Sequence, residues 1–133
     1  MILSVFNLIF KFNKWSVYPN CPAEAHNCIM VAAPHTCNWD FVYAMVALKK
    51  LGLNPRFTIK KEFNKPLIGS WSRSLGALWI DRSPRKGSTE RPRMTEVMVD
   101  LFNKSEEKMA VLVTPEGTRS KVTKWKTGFY YTA

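Results

Sequence analysis

Apolar and polar positions fall in blocks along this chain, and each block predicts an element. From Ile2 to Trp15, the polar residues Ser4, Asn7, Lys11 and Lys14 recur at helical spacing along one face, and apolar residues fill the rest. This predicts an amphipathic helix within residues 1–18. Tyr18 to Asn27, with Pro19 and Pro22, reads as a loop. Cys28 to Ala33 is an apolar run stopped by Pro34, the pattern of a buried strand. Trp39 to Leu51 is apolar and free of Gly and Pro, so a helix follows, with Asn38 as its N-cap and Gly52 and Asn54-Pro55 at its end. Arg56 to Lys60 and Ala77 to Asp81 read as strands. Between them Leu67, Ile68, Trp71 and Leu75 share a helical face that Gly76 terminates. Thr89 can cap the next helix, with Pro92 in its first turn and Met94, Val97, Met98, Leu101 and Phe102 as its buried stripe. Met109 to Val113 is the most strand-like run. Lys126 to Ala133 looks like the opening of another helix. Strands alternating with helices predict an α/β fold: a mixed, largely parallel sheet flanked by helices and joined by right-handed crossovers. The tips that follow the strands are then expected to converge on one edge of the sheet.

Length and composition bound this picture. At 133 residues the chain holds one domain, burying roughly two-thirds of its unfolded surface. The net charge is +10 and unevenly placed. Up to Leu48, Lys11 and Lys14 balance Glu24 and Asp40, so the whole excess lies beyond. Such a surface attracts anions: phosphorylated metabolites, acidic lipid headgroups or nucleic acid. Cys21, Cys28 and Cys37 match no zinc spacing, and an odd count argues against a disulfide framework. They read as reduced thiols in a cytosolic compartment. The N-terminal apolar stretch falls short of the about 20 residues that span a bilayer. It suits a helix lying in a membrane interface, with Lys and Trp at headgroup depth; the other option is packing on the domain's own core.

Chemistry concentrates at three strand ends. His35-Thr36-Cys37-Asn38-Trp39-Asp40 lies on a strand-to-helix turn, where Asp40 in the first helical turn can lean back to the His35 imidazole. A histidine oriented by an aspartate is the constellation of a general base. Asp81-Arg82 and Glu116-Gly117-Thr118-Arg119 occupy the other two ends. They add two arginines suited to bidentate phosphate recognition.

Taken in this order, the motifs resemble the PlsC-like glycerolipid acyltransferases. The family's His-x4-Asp motif matches His35 and Asp40. Its Gly-apolar-Asp-Arg motif matches Gly76 to Arg82, and its Pro-Glu-Gly-Thr-Arg-Ser motif matches Pro115 to Ser120. Lys61 to Gly69 also resembles the segment that members carry between the first two motifs. The resemblance covers roughly residues 27–131. It implies an acyltransferase domain at 27–133, behind the membrane-associating helix that the apolar pattern predicts at 1–18. The C-terminal part of that domain would then be missing, since the fourth family motif is expected beyond Ala133. It further implies transfer of an acyl group from acyl-CoA or acyl-carrier protein to a hydroxyl of lysophosphatidate or a related glycerophospholipid. His35 and Asp40 would be catalytic. Arg82 and Arg119 would grip the acceptor's phosphate, and Glu116, Gly117 and Thr118 would shape that pocket. No metal and no cofactor beyond the thioester co-substrate is expected. The expected place is the cytoplasmic side of a membrane, as a peripheral protein.

Three rivals stand beside this reading. One is an inactive, shortened family member. Another is a basic nucleic-acid-binding module, favoured by the charge but lacking any helix-turn-helix, zinc or RNA-recognition signature. The third is a thiol hydrolase built from Cys37 and His35, which lie two residues apart.

Overall fold

A computed structural model describes residues 2–81, 83–84 and 92–133. Helix α1 spans Ile2–Phe12, β1 Cys28–Val31, α2 Asn38–Lys50, β2 Pro55–Lys60, α3 Pro66–Ser74, β3 Ala77–Ile80, α4 Met94–Lys104, β4 Ala110–Val113 and α5 Gly128–Thr132. The elements alternate as the apolar blocks predict, and every strand pair is parallel. The sheet order is β1-β4-β2-β3. The last strand in sequence therefore sits inside, flanked by the first and second.

β4 shows why the sheet is buried on both faces. Ala110 and Val111 point to opposite sides and are both fully buried. Val111 joins Ile80, Met98 and Met109 in one cluster, which α4 covers with Val97, Leu101 and Phe102. Ala110 joins Leu48 and Leu53 on the other face, beneath α2. Two layers of helices on a parallel sheet are the α/β architecture expected from the sequence.

Local chemistry sets the element ends. Pro66 opens α3, where its missing N–H costs nothing. Gly76 follows α3 at φ +95°, so close to Pro55 that a Cβ there would collide with the Pro55 carbonyl oxygen. α4 begins at Met94 behind Arg93, so Pro92 precedes the helix rather than lying in its first turn. Thr89, the expected cap, lies outside the described residues. Two residues beyond α1, Lys14 takes the left-handed conformation at φ 57°, while the N–H of Trp15 bonds back to the Phe10 carbonyl at 3.1 Å. This reversal lays Trp15 on Tyr43 of α2, ring centroids 4.9 Å apart.

Candidate active site

The site is built where β1 and β4 end. These strands are neighbours, with Val31 paired to Val113, so the loops after them emerge side by side. The first loop carries His35 into α2. That helix is capped by Cys37, not by Asn38 as side-chain preference predicts. The cause is Asp40. From the third helical position its carboxylate turns back and accepts the N–H of Cys37 at 2.9 Å and that of Thr36 at 2.6 Å. The Thr36 hydroxyl adds a third donor at 3.2 Å. This is one half of a capping box, with aspartate in place of the usual glutamate.

The consequence is electrostatic as well as structural. The backbone N–H of Cys37, then that of Thr36, lower the Asp40 pKa from its ordinary 3.8 to about 2. Asp40 is thus an anion at every working pH, held in place by the peptide chain. The oxygen that takes both N–H bonds, Oδ2, also lies 3.4 Å from His35 Nδ1. A carboxylate on that side favours the tautomer protonated at Nδ1 and leaves the Nε2 lone pair free to accept a proton.

The second loop holds the first in place. Gly117, at φ +65°, turns the chain after β4, and its N–H bonds the Thr114 carbonyl at 3.1 Å. Glu116 Oε2 then accepts the backbone N–H of His35 at 2.7 Å. The Arg119 guanidinium donates to Asn38 Oδ1 at 2.5 Å. Two bonds therefore tie the Glu-Gly-Thr-Arg loop across to the His-Asp turn. Thr118 turns inward on its own loop, accepting the Ser120 N–H at 3.3 Å.

The tip after β3 stands apart. Asp81 pairs with Lys61 at 2.9 Å and accepts the Ser83 N–H at 2.9 Å. The Lys61 ammonium, with the bonds from Ser83, holds its carboxyl well below the usual range. β3 lies two strands from β4, about 10 Å at ordinary strand spacing. The strand ends that carry the three tips share the edge as expected, and among the described residues the tips after β1 and β4 are the two that touch. Arg82 lies outside the described residues.

A cavity of about 970 Å³ opens at this edge. Its walls are mostly apolar, with Ile29, Ala44, Phe57, Ile59, Leu112 and Phe129 among them, and its polar part includes His35, Asn38, Asp40, Arg119 and Lys126. Lys126 is a residue the motifs passed over. Its backbone N–H bonds the Pro115 carbonyl at 2.9 Å, and its Nζ lies 2.8 Å from where a Cβ on Gly117 would stand. The missing side chain of Gly117 leaves the space that this ammonium occupies. A glycine with a lysine nine residues on was the available signal, but nothing local ties them.

Cys37 Sγ faces Asp40 Oδ1 at 3.6 Å, and among the described residues it makes no hydrogen bond to His35. A thiol nucleophile activated by His35 has no support in this arrangement. No group of three or more His, Cys, Asp or Glu gathers among the described residues in a way that could hold a metal ion.

Among protein families, the one described as Acyltransferase, the PlsC type, matches residues 16–133. The chain belongs to this family. A search of curated proteins and one of solved structures return no match. The matched span of this acyltransferase takes in both touching tips and the cavity between them, and it begins beyond α1.

Proposed function

We propose that this acyltransferase moves a fatty acyl group from acyl-CoA or acyl-carrier protein to a hydroxyl of lysophosphatidate or a related glycerophospholipid, with His35 as general base. The observation that carries the reading is the His35–Asp40 pair at the polar part of an apolar cavity. An alcohol near neutral pH is a poor nucleophile. His35 Nε2 takes its proton as the oxygen attacks the thioester carbonyl. The imidazolium that forms faces an aspartate already held as an anion by two peptide N–H groups. When the tetrahedral intermediate collapses, the C–S bond breaks and the departing thiolate recovers the proton from Nε2. One ester forms, one thioester is consumed, and the base is restored. The N–H groups of Thr36 and Cys37 are committed to Asp40, so the oxyanion falls to those of Asn38 and Trp39 in the first turn of α2.

The apolar walls suit an acyl chain. Arg119 and Arg82 are assigned to the acceptor's phosphate, with Gly117 and Thr118 shaping the loop that carries Arg119. Glu116 acts through the His35 peptide rather than on the acceptor. The protein's place is assigned to the cytoplasmic side of a membrane, as a peripheral protein. The test is mass-spectrometric detection of phosphatidate from acyl-CoA and lysophosphatidate in detergent. The parent makes product, and His35→Ala loses at least about a hundredfold in rate with its thermal unfolding unchanged. A His35→Ala variant at parental rate refutes the base.

A further inference from the structure

Asn38 is the first residue of α2, yet its side chain does not cap the helix. Cys37 and Asp40 close that end between them. The Asn38 amide is thus released from the task its residue type ordinarily performs. Its Oδ1 instead accepts from the Arg119 guanidinium, across 81 residues of sequence. Both side chains line the cavity.

The kind of partner decides what the arginine can still do. Arg119 is exposed, and a long exposed side chain with nothing to hold it explores many rotamers. A carboxylate would hold it but would also neutralise it. An amide oxygen holds it and leaves the charge in place. The guanidinium fork carries more donors than this one bond uses, so an edge stays open for bidentate contact. Among the described residues, neither Arg119 nor Lys126 enters an ion pair. The carboxylates of the site are directed elsewhere. Asp40 takes the peptide N–H groups of Thr36 and Cys37, and Glu116 takes that of His35. The start of α2 also carries the positive end of the helix dipole, where a cation is disfavoured. A guanidinium held there, with the Lys126 ammonium lining the same cavity, is a charge that an anionic ligand completes.

We infer that Asn38 sets the site's preference for a phosphorylated acceptor, as a positioning residue that aims Arg119 through a neutral oxygen and leaves the guanidinium charge to the phosphate. The inference rests on the acyl-transfer reading for the molecule that carries the phosphate; the aiming of Arg119 at an anion does not.

The test has a binding arm and a turnover arm. Calorimetric titration of the full chain with glycerol 3-phosphate needs no turnover. Asn38→Asp sets a carboxylate on the guanidinium and should weaken that binding at least about tenfold. Asn38→Ala loses the aim but keeps the charge, and should weaken it about threefold. In an Arg119→Ala background, Asn38→Ala should have no further effect, because the two side chains act together. Aspartate suits the first turn of a helix, so Asn38→Asp should unfold no earlier than the parent, and lost binding is then not lost fold. In the turnover arm, kcat/KM for lysophosphatidate is divided by that for a monoacylglycerol, which lacks the phosphate. The ratio cancels whatever both acceptors lose alike. Asn38→Asp should lower it at least about tenfold, chiefly through the KM of lysophosphatidate. Parental binding of glycerol 3-phosphate by Asn38→Asp overturns the inference, and so does a parent with no affinity for that probe. An equal loss with both acceptors overturns it too, since that marks a structural residue. A parent that binds glycerol 3-phosphate through Asn38 and Arg119 yet makes no phosphatidate leaves the aiming in place and sinks the acyl-transfer reading alone.

Discussion

Asp40 and Asp81 stand beyond the ends of two strands in one sheet, and both carboxyls are pulled below their ordinary range. They differ in what does the pulling. Asp40 is held by two peptide N–H groups within its own turn, so its position is as fixed as the backbone. Asp81 is held chiefly by a lysine side chain in open solvent, with one peptide N–H from Ser83 beside it; the lysine costs rotamer entropy to keep still and is screened by salt. They differ again in what faces the carboxylate. Beside Asp40 stands an imidazole at the edge of a cavity, whereas Asp81 meets Lys61 and Ser83. A lowered pKa alone would mark both. The distinction comes from the rigidity of the donors and from the group the anion can serve.

The sharpest test of that distinction is substitution. Asp40→Asn should lower kcat by about 10²- to 10⁴-fold, because the imidazolium loses its counter-charge and its tautomer. Asp81→Asn should leave kcat near parental and the melting temperature nearly unchanged. Steady-state kinetics with both variants decides, and an equal loss at Asp81 would erase the contrast. Next in size is the tie from the neighbouring strand. Glu116→Ala should reduce kcat by about tenfold to a hundredfold with little change in acceptor KM, since it frees the His35 peptide. Glu116→Gln, which keeps an oxygen acceptor, should restore most of the rate. An acceptor KM that rises instead would return Glu116 to the acceptor pocket.

The pH dependence of stability separates the carboxylates further. The folded-state pKa of Asp40 lies below its unfolded value, so its contribution is complete above about pH 4 and is lost as pH falls toward about 2. Acid unfolding of the parent should therefore steepen across that window, and Asp40→Asn should flatten it. Added salt should leave the Asp40 component in place and weaken the one from Asp81. The smallest expected effect is at Gly117. Gly117→Ala places a Cβ against Lys126 and asks alanine to adopt φ +65°, at a cost of about 1 kcal/mol by denaturant titration.

The α/β alternation, the parallel pairing and the motif residues were legible because each rests on local pattern: apolar runs, helical stripes, Gly and Pro stops. The cap of α2 lies one residue before the position that side-chain preference selects. Preference by type favours Asn38, whereas the actual cap follows from Asp40 bonding back to Cys37. The separation of Asp81 from the other tips was not legible, because strand order is decided by pairings across the chain. Lys126 was missed for the same reason, since its neighbour Gly117 matters through a side chain it lacks. α1 was visible as a run of apolar residues, but which of them α2 would cover was not.

The strand order also bears on how the protein is made. Among the described residues β1 pairs with β4 alone, Cys28 against Ala110, whereas β2 and β3 pair with each other across one short helix. As a chain leaves the ribosome, the β2–β3 unit can close while β1 and the turn bearing His35 still have no sheet to join. The bond from Glu116 to the His35 peptide spans 81 residues and can form only once β4 has entered between β1 and β2. Nascent chains ending before Glu116 therefore carry the histidine and the aspartate without the geometry that joins them to the second loop. The two touching tips are therefore brought together late, when β4 enters between β1 and β2.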